Sequence, residues 1–221
     1  MMRVHNSSMV SRSRAILAAC LAATAMFAGG QSEAYPSGWT PMVDTRTLNG
    51  WKEVAFDGRG KVTIENGVIR LGRGRSTGIA WTGDFPRSNY EIRFEAARLD
   101  GNDFFAAIIF PVKDSHCSWI NGGWDGTVSG LSNLDGYDAS ENETSSTREF
   151  EKGRWYAFRL RVTSSRIQGW VDDNMVLDLD ITGRKLELRF DDTDLCKPLG
   201  FTSYGTTGGL RKIEYRRLGA E

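Results

Sequence analysis

Apolar and polar residues alternate with a period of two along most of the chain. Tyr90, Ile92, Phe94 and Ala96 fall on one side, and Glu91, Arg93 and Glu95 on the other. Tyr156, Phe158, Leu160 and Val162 oppose Ala157, Arg159 and Arg161; Leu186, Leu188 and Phe190 oppose Lys185, Glu187 and Arg189. Successive side chains of a strand point to opposite faces, so each run predicts a strand with one face buried. Residues 104–112 (FFAAIIFPV) are continuously apolar. They predict a central strand covered on both faces.

Turn residues separate these runs. Asn66-Gly67 lies between residues 62–64 and 68–71 and predicts a two-residue hairpin. Asp172-Asp173-Asn174 joins residues 167–171 to 175–181, and Gly208-Gly209 precedes a closing strand at 210–218. Roughly a dozen short strands and no amphipathic helix predict an all-β jelly-roll sandwich. No linker divides residues 35–221, so they are expected to form one domain. The longest stretch without strand pattern, 134–153, exceeds most connections, and loops of that length often carry function.

Residues 1–34 read as a signal peptide. Arg3, Arg12 and Arg14 precede an apolar run from Ala15 to Ala28, and the small residues Ser32 and Ala34 stand before Tyr35. The run is shorter than the roughly 20 residues a spanning helix needs. Leu17-Ala18-Ala19-Cys20 looks like a lipoprotein box, but the apolar run continues past the cysteine. The expectation is a cleaved leader and a secreted or periplasmic protein with no lipid anchor. Cys117 and Cys196 then remain, either as a disulfide or as two buried thiols.

Charge changes the picture only once it is divided. The chain has 28 Lys+Arg and 28 Asp+Glu, which argues against nucleic acid or an anionic membrane as partner. Residues 114–147 nevertheless hold six acids and no Lys or Arg. The same stretch carries His116, Trp119 and Trp124. With only two histidines, His5 and His116, a multi-histidine zinc site is excluded. The sequence also lacks a G-x-S-x-G elbow, a Walker loop, an H-E-x-x-H helix and the paired-acid strand motif of sandwich β-glucanases.

Several residues have the chemistry of a sugar site. An exposed Trp beside amides and carboxylates holds a sugar by its apolar C–H face and its hydroxyls. Trp119 is expected in the core. Trp124, between Gly123 and Asp125-Gly126, is expected at the surface, with Asn121 and Asp125 as hydroxyl partners. Asp135, Asp138, Glu141 and Glu143 crowd one loop together with Asn142, which heads a glycosylation sequon. That loop is a solvated acidic segment, a cation site without the EF-hand spacing, or the source of a general base. His116 is the readiest proton shuttle near neutral pH. Asp103 follows Gly101-Asn102 and either points into a cleft or caps the turn.

Over residues 38–218 the chain resembles the bacterial 3-keto-disaccharide hydrolase family, also described as 3-keto-glucoside 1,2-lyase/3-keto-2-hydroxyglucal hydratase domains. The resemblance starts with Gly38-Trp39-Thr40-Pro41-Met42 and Thr47-Leu48-Asn49-Gly50-Trp51, and continues with Glu65-Asn66-Gly67-Val68-Ile69. Asn89-Tyr90-Glu91-Ile92-Arg93-Phe94-Glu95 and Gly101-Asn102-Asp103 follow. Gly153-Arg154-Trp155-Tyr156 comes next, with Ile167, Trp170 and Asp172-Asp173. Pro198-Leu199-Gly200 and Leu210-Arg211-Lys212-Ile213 close it. Where many members carry Tyr-Glu-Val-Gln-Ile, this chain has residues 116–124 (HCSWINGGW) and no glutamate.

The resemblance implies a concanavalin A-like or laminin-G-like sandwich that acts on carbohydrate. It implies cleavage of a 3-keto-glucoside by elimination, or hydration of the 3-keto-2-hydroxyglucal product. The expected base is Asp103, Glu141 or Glu143, with His116 as acid or shuttle. Trp124, Asn121, Asp125, Asp138 and Asn142 are the expected sugar contacts. A divalent metal would polarise the carbonyl, but no motif requires one. A non-catalytic carbohydrate-binding sandwich and a structural surface domain are the other readings left open.

Overall fold

The computed structural model describes residues 38–189 and 192–219. Residues 1–34, expected to be a signal peptide, and Phe190 lie outside the described residues. The first strands are β1 (Thr40–Pro41), β2 (Trp51–Glu53), β3 (Val62–Glu65), β4 (Val68–Leu71) and β5 (Thr77–Trp81). Next come β6 (Tyr90–Asp100), β7 (Ala107–Val112), β8 (Ser115–Gly123), β9 (Val128–Ser132) and β10 (Ser146–Thr147). The chain continues through β11 (Trp155–Val162), β12 (Arg166–Val171) and β13 (Asn174–Asp180), then a 3₁₀ turn (Asp192–Cys196), β14 (Gly200–Ser203) and β15 (Thr207–Arg217).

These strands form two antiparallel sheets. One runs β13-β12-β11-β6-β15-β4-β3 with β1 added beside β15; the other runs β10-β9-β8-β7-β14-β5-β2. This is the predicted all-β jelly-roll sandwich, and among the described residues no helix is long and apolar enough to cross a membrane.

The alternation read in the sequence sets which side chains meet between the sheets. Phe94 of β6 stacks on Phe158 of β11 at 5.0 Å and meets Phe201 of β14 edge-on at 4.8 Å. Trp119 of β8 reaches Phe158 at 5.9 Å, so the cluster spans both sheets. Gly169 makes room for that indole, because a Cβ there would lie 2.9 Å from the ring. On the outer face of the first sheet, Glu91 is 2 % exposed and is held by Arg159 and Arg216. A buried carboxylate needs such partners.

Both hairpin turns form. Asn66 and Gly67 have φ of 51° and 76°, and Asp172 and Asp173 have 50° and 62°, the left-handed pairs that match strand twist. Three details depart from the sequence reading. The apolar run becomes strand only from Ala107, while Phe104 turns to the surface cleft described below. Residues 185–189 form no strand. They run beside the irregular segment at Asn133–Asp135, exchanging hydrogen bonds through Glu187 and Lys185 and one bridge from Leu186 to Leu134. Gly208 and Gly209 lie inside β15, because their missing side chains admit the Phe105 carbonyl and the Trp155 ring.

Cys117 and Cys196 are both buried and are not joined to each other. The first packs between the sheets and the second against Ile109 on the opposite face, so the disulfide alternative does not form. Burial pushes the Cys117 thiol up to about 12.

The inter-sheet aromatic cluster should dominate stability. Phe94→Ala removes a ring contacting both sheets and should cost about 3–5 kcal/mol, measured by denaturant unfolding.

Candidate functional site

A cleft of about 430 Å³ opens on the outer face of the seven-stranded sheet. Its floor is made by the side chains of β7, β8, β9 and β14 that alternate with the core set. Ala107 and Ile109 point outward between Ile108 and Phe110, and Ser118 and Ile120 between Cys117 and Trp119. Ser132 and Thr202 complete the floor. Small residues at these places leave the volume that larger ones would fill. The Asp103–Phe104 loop, the β8–β9 turn and the residues after β14 form the rim. They bring Asp103, Phe104, Trp124 and Tyr204 to the cleft, with Arg75 and Arg189 and the carboxylate of Asp57. Phe104 and Tyr204 stack at 5.9 Å.

Trp124 sits at the tip of the β8–β9 hairpin. The turn closes with the Gly126 N–H donating to Gly123 O at 3.1 Å. Trp124 and Asp125 have φ of 48° and 61°. A bulky side chain with positive φ is an uncommon, costly conformation, and such outliers cluster at functional sites. The strain turns the indole outward, where it is 36 % exposed, and the Arg189 guanidinium lies over it at 5.9 Å.

Asp103 is the sequence-predicted acid that reaches the cleft. Its N–H donates to Thr206 Oγ1 at 2.9 Å. Its carboxylate accepts the Phe104 N–H at 2.7 Å and the Asp125 N–H at 3.4 Å. Asp125 therefore enters through its backbone, while its own side chain is exposed.

The other expected site residues lie elsewhere. Asn121 is fully buried because odd positions of β8 face the interior; neither side-chain polar atom has a partner. Asn142 spends its amide inside the loop, donating to Leu131 O at 2.7 Å and Asp138 O at 2.7 Å and accepting from Thr144. Glu143 is bound by both terminal nitrogens of Arg184, which also takes Asp135 at 2.7 Å. That hydrogen bonding holds the Glu143 carboxyl below its usual range. Glu141 is exposed outside the cleft lining. Asp138 stands one step behind the rim, accepting from Ser140 and lying 3.8 Å from Arg189. His116 shares the outward face of β8 with Ser118 and Ile120 but lies outside the lining.

The cleft residues that the sequence reading missed include Asp57, Arg75, Phe104, Ser118, Arg189 and Tyr204. The signal for the floor was the alternation of Ser118 and Ile120 with Cys117 and Trp119. Among the described residues, no group of three or more His, Cys, Asp or Glu could hold a metal ion.

The model of the 3-keto-alpha-glucoside-1,2-lyase-like domain family matches residues 38–216. Solved structures share the fold at low identity. A proposed glycosyl hydrolase from Parabacteroides distasonis is 13% identical with a TM-score of 0.54, covering 82% of this chain and 94% of its own. A transglycosylase in complex with NAG is 13% identical with a TM-score of 0.56, covering 84% and 86%. The exoplasmic/lumenal domain of VIP36, bound to Ca²⁺ and a mannose–GlcNAc oligosaccharide, is 12% identical with a TM-score of 0.57, covering 83% and 92%. No curated protein matches the chain.

His116 supplies a pH prediction. Burial, then the charges of Lys197 and Arg87, lower its pKa from 6.5 to about 4. The unfolded chain therefore binds this proton more readily, and the associated stability, full above pH 6.5, is lost as pH falls toward 4. Wild type should lose about 2 kcal/mol more than His116→Gln between pH 7 and 4 by denaturant unfolding.

Proposed function

The chain belongs to the 3-keto-alpha-glucoside-1,2-lyase-like domain family, and from that premise we propose that it is a secreted or periplasmic sugar-processing enzyme. Its substrate is a 3-keto-glucoside, cleaved by elimination, or the resulting 3-keto-2-hydroxyglucal, hydrated. The observation that carries this reading is one cleft holding an aromatic platform, a fixed carboxylate and two guanidinium groups: Trp124, Asp103, Arg75 and Arg189.

The chemistry follows from the ketone. A C3 carbonyl acidifies the C2 proton, which Asp103 removes as general base. The electron pair first delocalises onto the carbonyl oxygen, where Arg75 or Arg189 stabilises the enolate charge. Collapse of the enolate breaks the C1–O bond and forms the C1–C2 double bond. The departing glycosidic oxygen takes up the proton released from C2. Hydration runs the same logic in reverse, with water supplying hydroxyl to C1 and a proton to C2. Trp124 covers the apolar face of the ring throughout. This scheme needs no second acid of the kind ordinary glycoside hydrolysis uses.

The alternative is a carbohydrate-binding sandwich without catalysis. The positions of Glu141, Glu143 and His116 outside the cleft favour it, as does the oligosaccharide bound by the VIP36 domain on a similar fold.

Purified protein incubated with a 3-keto-disaccharide, with and without divalent cations, should consume it. Asp103→Asn should slow that by about 100-fold or more, a typical loss for a general base. Trp124→Ala should weaken sugar binding by about 1 kcal/mol, read by calorimetry. Unchanged substrate under every cation condition, with retained binding of unoxidised glycans, would establish the binding module instead. N-terminal sequencing of the exported protein should find Tyr35 first.

A further inference from the structure

Arg98 is a charged residue in the wrong place for solubility. It is 7 % exposed, on a strand whose neighbours Ala96 and Ala97 are fully buried. Among the described residues, its guanidinium makes no hydrogen bond to a carboxylate. It donates instead to three backbone carbonyls: Gly122 O at 3.1 Å, Gly126 O at 2.9 Å and Phe150 O at 3.2 Å. Its Nε is buried without a partner. A buried, incompletely satisfied cation is costly, so something must be gained by it.

The three carbonyls show what is gained. Gly122 and Gly126 bracket Trp124 and Asp125, so one guanidinium nitrogen, Nη2, ties both arms of the strained turn together while Nη1 holds the Phe150 carbonyl behind it. The guanidinium's approach requires glycine at 122, and glycine at 126 lets the turn close against the neighbouring loop. A Cβ at Gly122 would lie 2.5 Å from Nη2, and one at Gly126 would lie 2.6 Å from Asn102 O, in the loop that carries Asp103. Burial pushes the guanidinium pKa down, and the Asp103 charge pushes it back up.

We infer that Arg98 is a positioning residue for the cleft: from inside the sandwich it fixes the turn that presents Trp124 and that aims the Asp125 N–H at the Asp103 carboxylate. Only the sugar measurements below rest on the proposed function. A lysine keeps the charge but offers one nitrogen, so it cannot hold the turn and the Phe150 carbonyl from two separate nitrogens as the guanidinium does. A methionine removes charge and fork together and leaves three carbonyls without their donor.

The test uses the full chain as Arg98→Met and Arg98→Lys. Hydrogen exchange is read at the Gly126 and Thr127 amides, which close the turn, and in β11 as a reference. Arg98→Met should speed exchange at the turn by roughly tenfold while β11 stays unchanged. Trp124 emission should shift, and the shift should vanish in a Trp124→Phe background. Arg98→Lys should fall between the two. It is the variant read if Arg98→Met does not fold. A folded variant with unchanged turn exchange and unchanged Trp124 emission overturns the inference. Equal acceleration in the turn and β11 also overturns it, since that marks a structural role alone. On a 3-keto-disaccharide, the positioning role predicts a raised KM from the misplaced indole and a lowered kcat from Asp103. Turn effects without any action on sugar would sink the proposed function and leave the positioning role standing.

Discussion

Packing between the two sheets is the constraint on which the rest depends. Phe94 and Phe158 from one sheet meet Phe201 and Trp119 from the other, and this contact fixes which parity of each strand faces inward. Once Cys117 and Trp119 point into the core, Ser118 and Ile120 must point out. The cleft floor is therefore the remainder left by the core. It is open because that remainder is mostly Ala, Ser and Thr.

That logic explains why the fold was legible and the site only partly so. The alternation in β6 and β11 and the turn at Asn66-Gly67 are local signals, and they form as written. The run at 104–112 was read as one apolar strand covered on both sides. From Ala107 onward that reading holds, with Ile108 in the core and Ile109 buried on the other face with Val54, Phe56 and Cys196, but nothing in composition shows that this second face also floors a cleft. Asp103 and Trp124, singled out by their turn context, both reach the cleft. Arg75, Arg189 and Tyr204 were missed because they come from distant connections that only the tertiary fold brings to one rim. The acidic density at 135–143 does not converge on the cleft, for a physical reason. Arg184 lies far along the chain, and it pairs with Asp135 and Glu143 outside the cleft lining.

Strain and burial concentrate at the same place. The turn at Trp124 and Asp125 uses a conformation that L-residues avoid, and a buried arginine sits directly behind it. Stability alone would favour glycine in the turn and an apolar residue beneath. The molecule keeps the expensive arrangement where the aromatic platform and the carboxylate share a rim.

The loop from Leu134 to Ser145 has a further consequence. Asn142 ties it to β9 through Leu131, Thr144 ties it to Leu131 from the other side, and Arg184 pins it from beyond β13. A segment fastened at so many points is held beside the cleft and is not free to swing across it. Under the proposed function, a ligand would meet a prepared surface on that side, and the entropy cost of docking there would fall on the ligand.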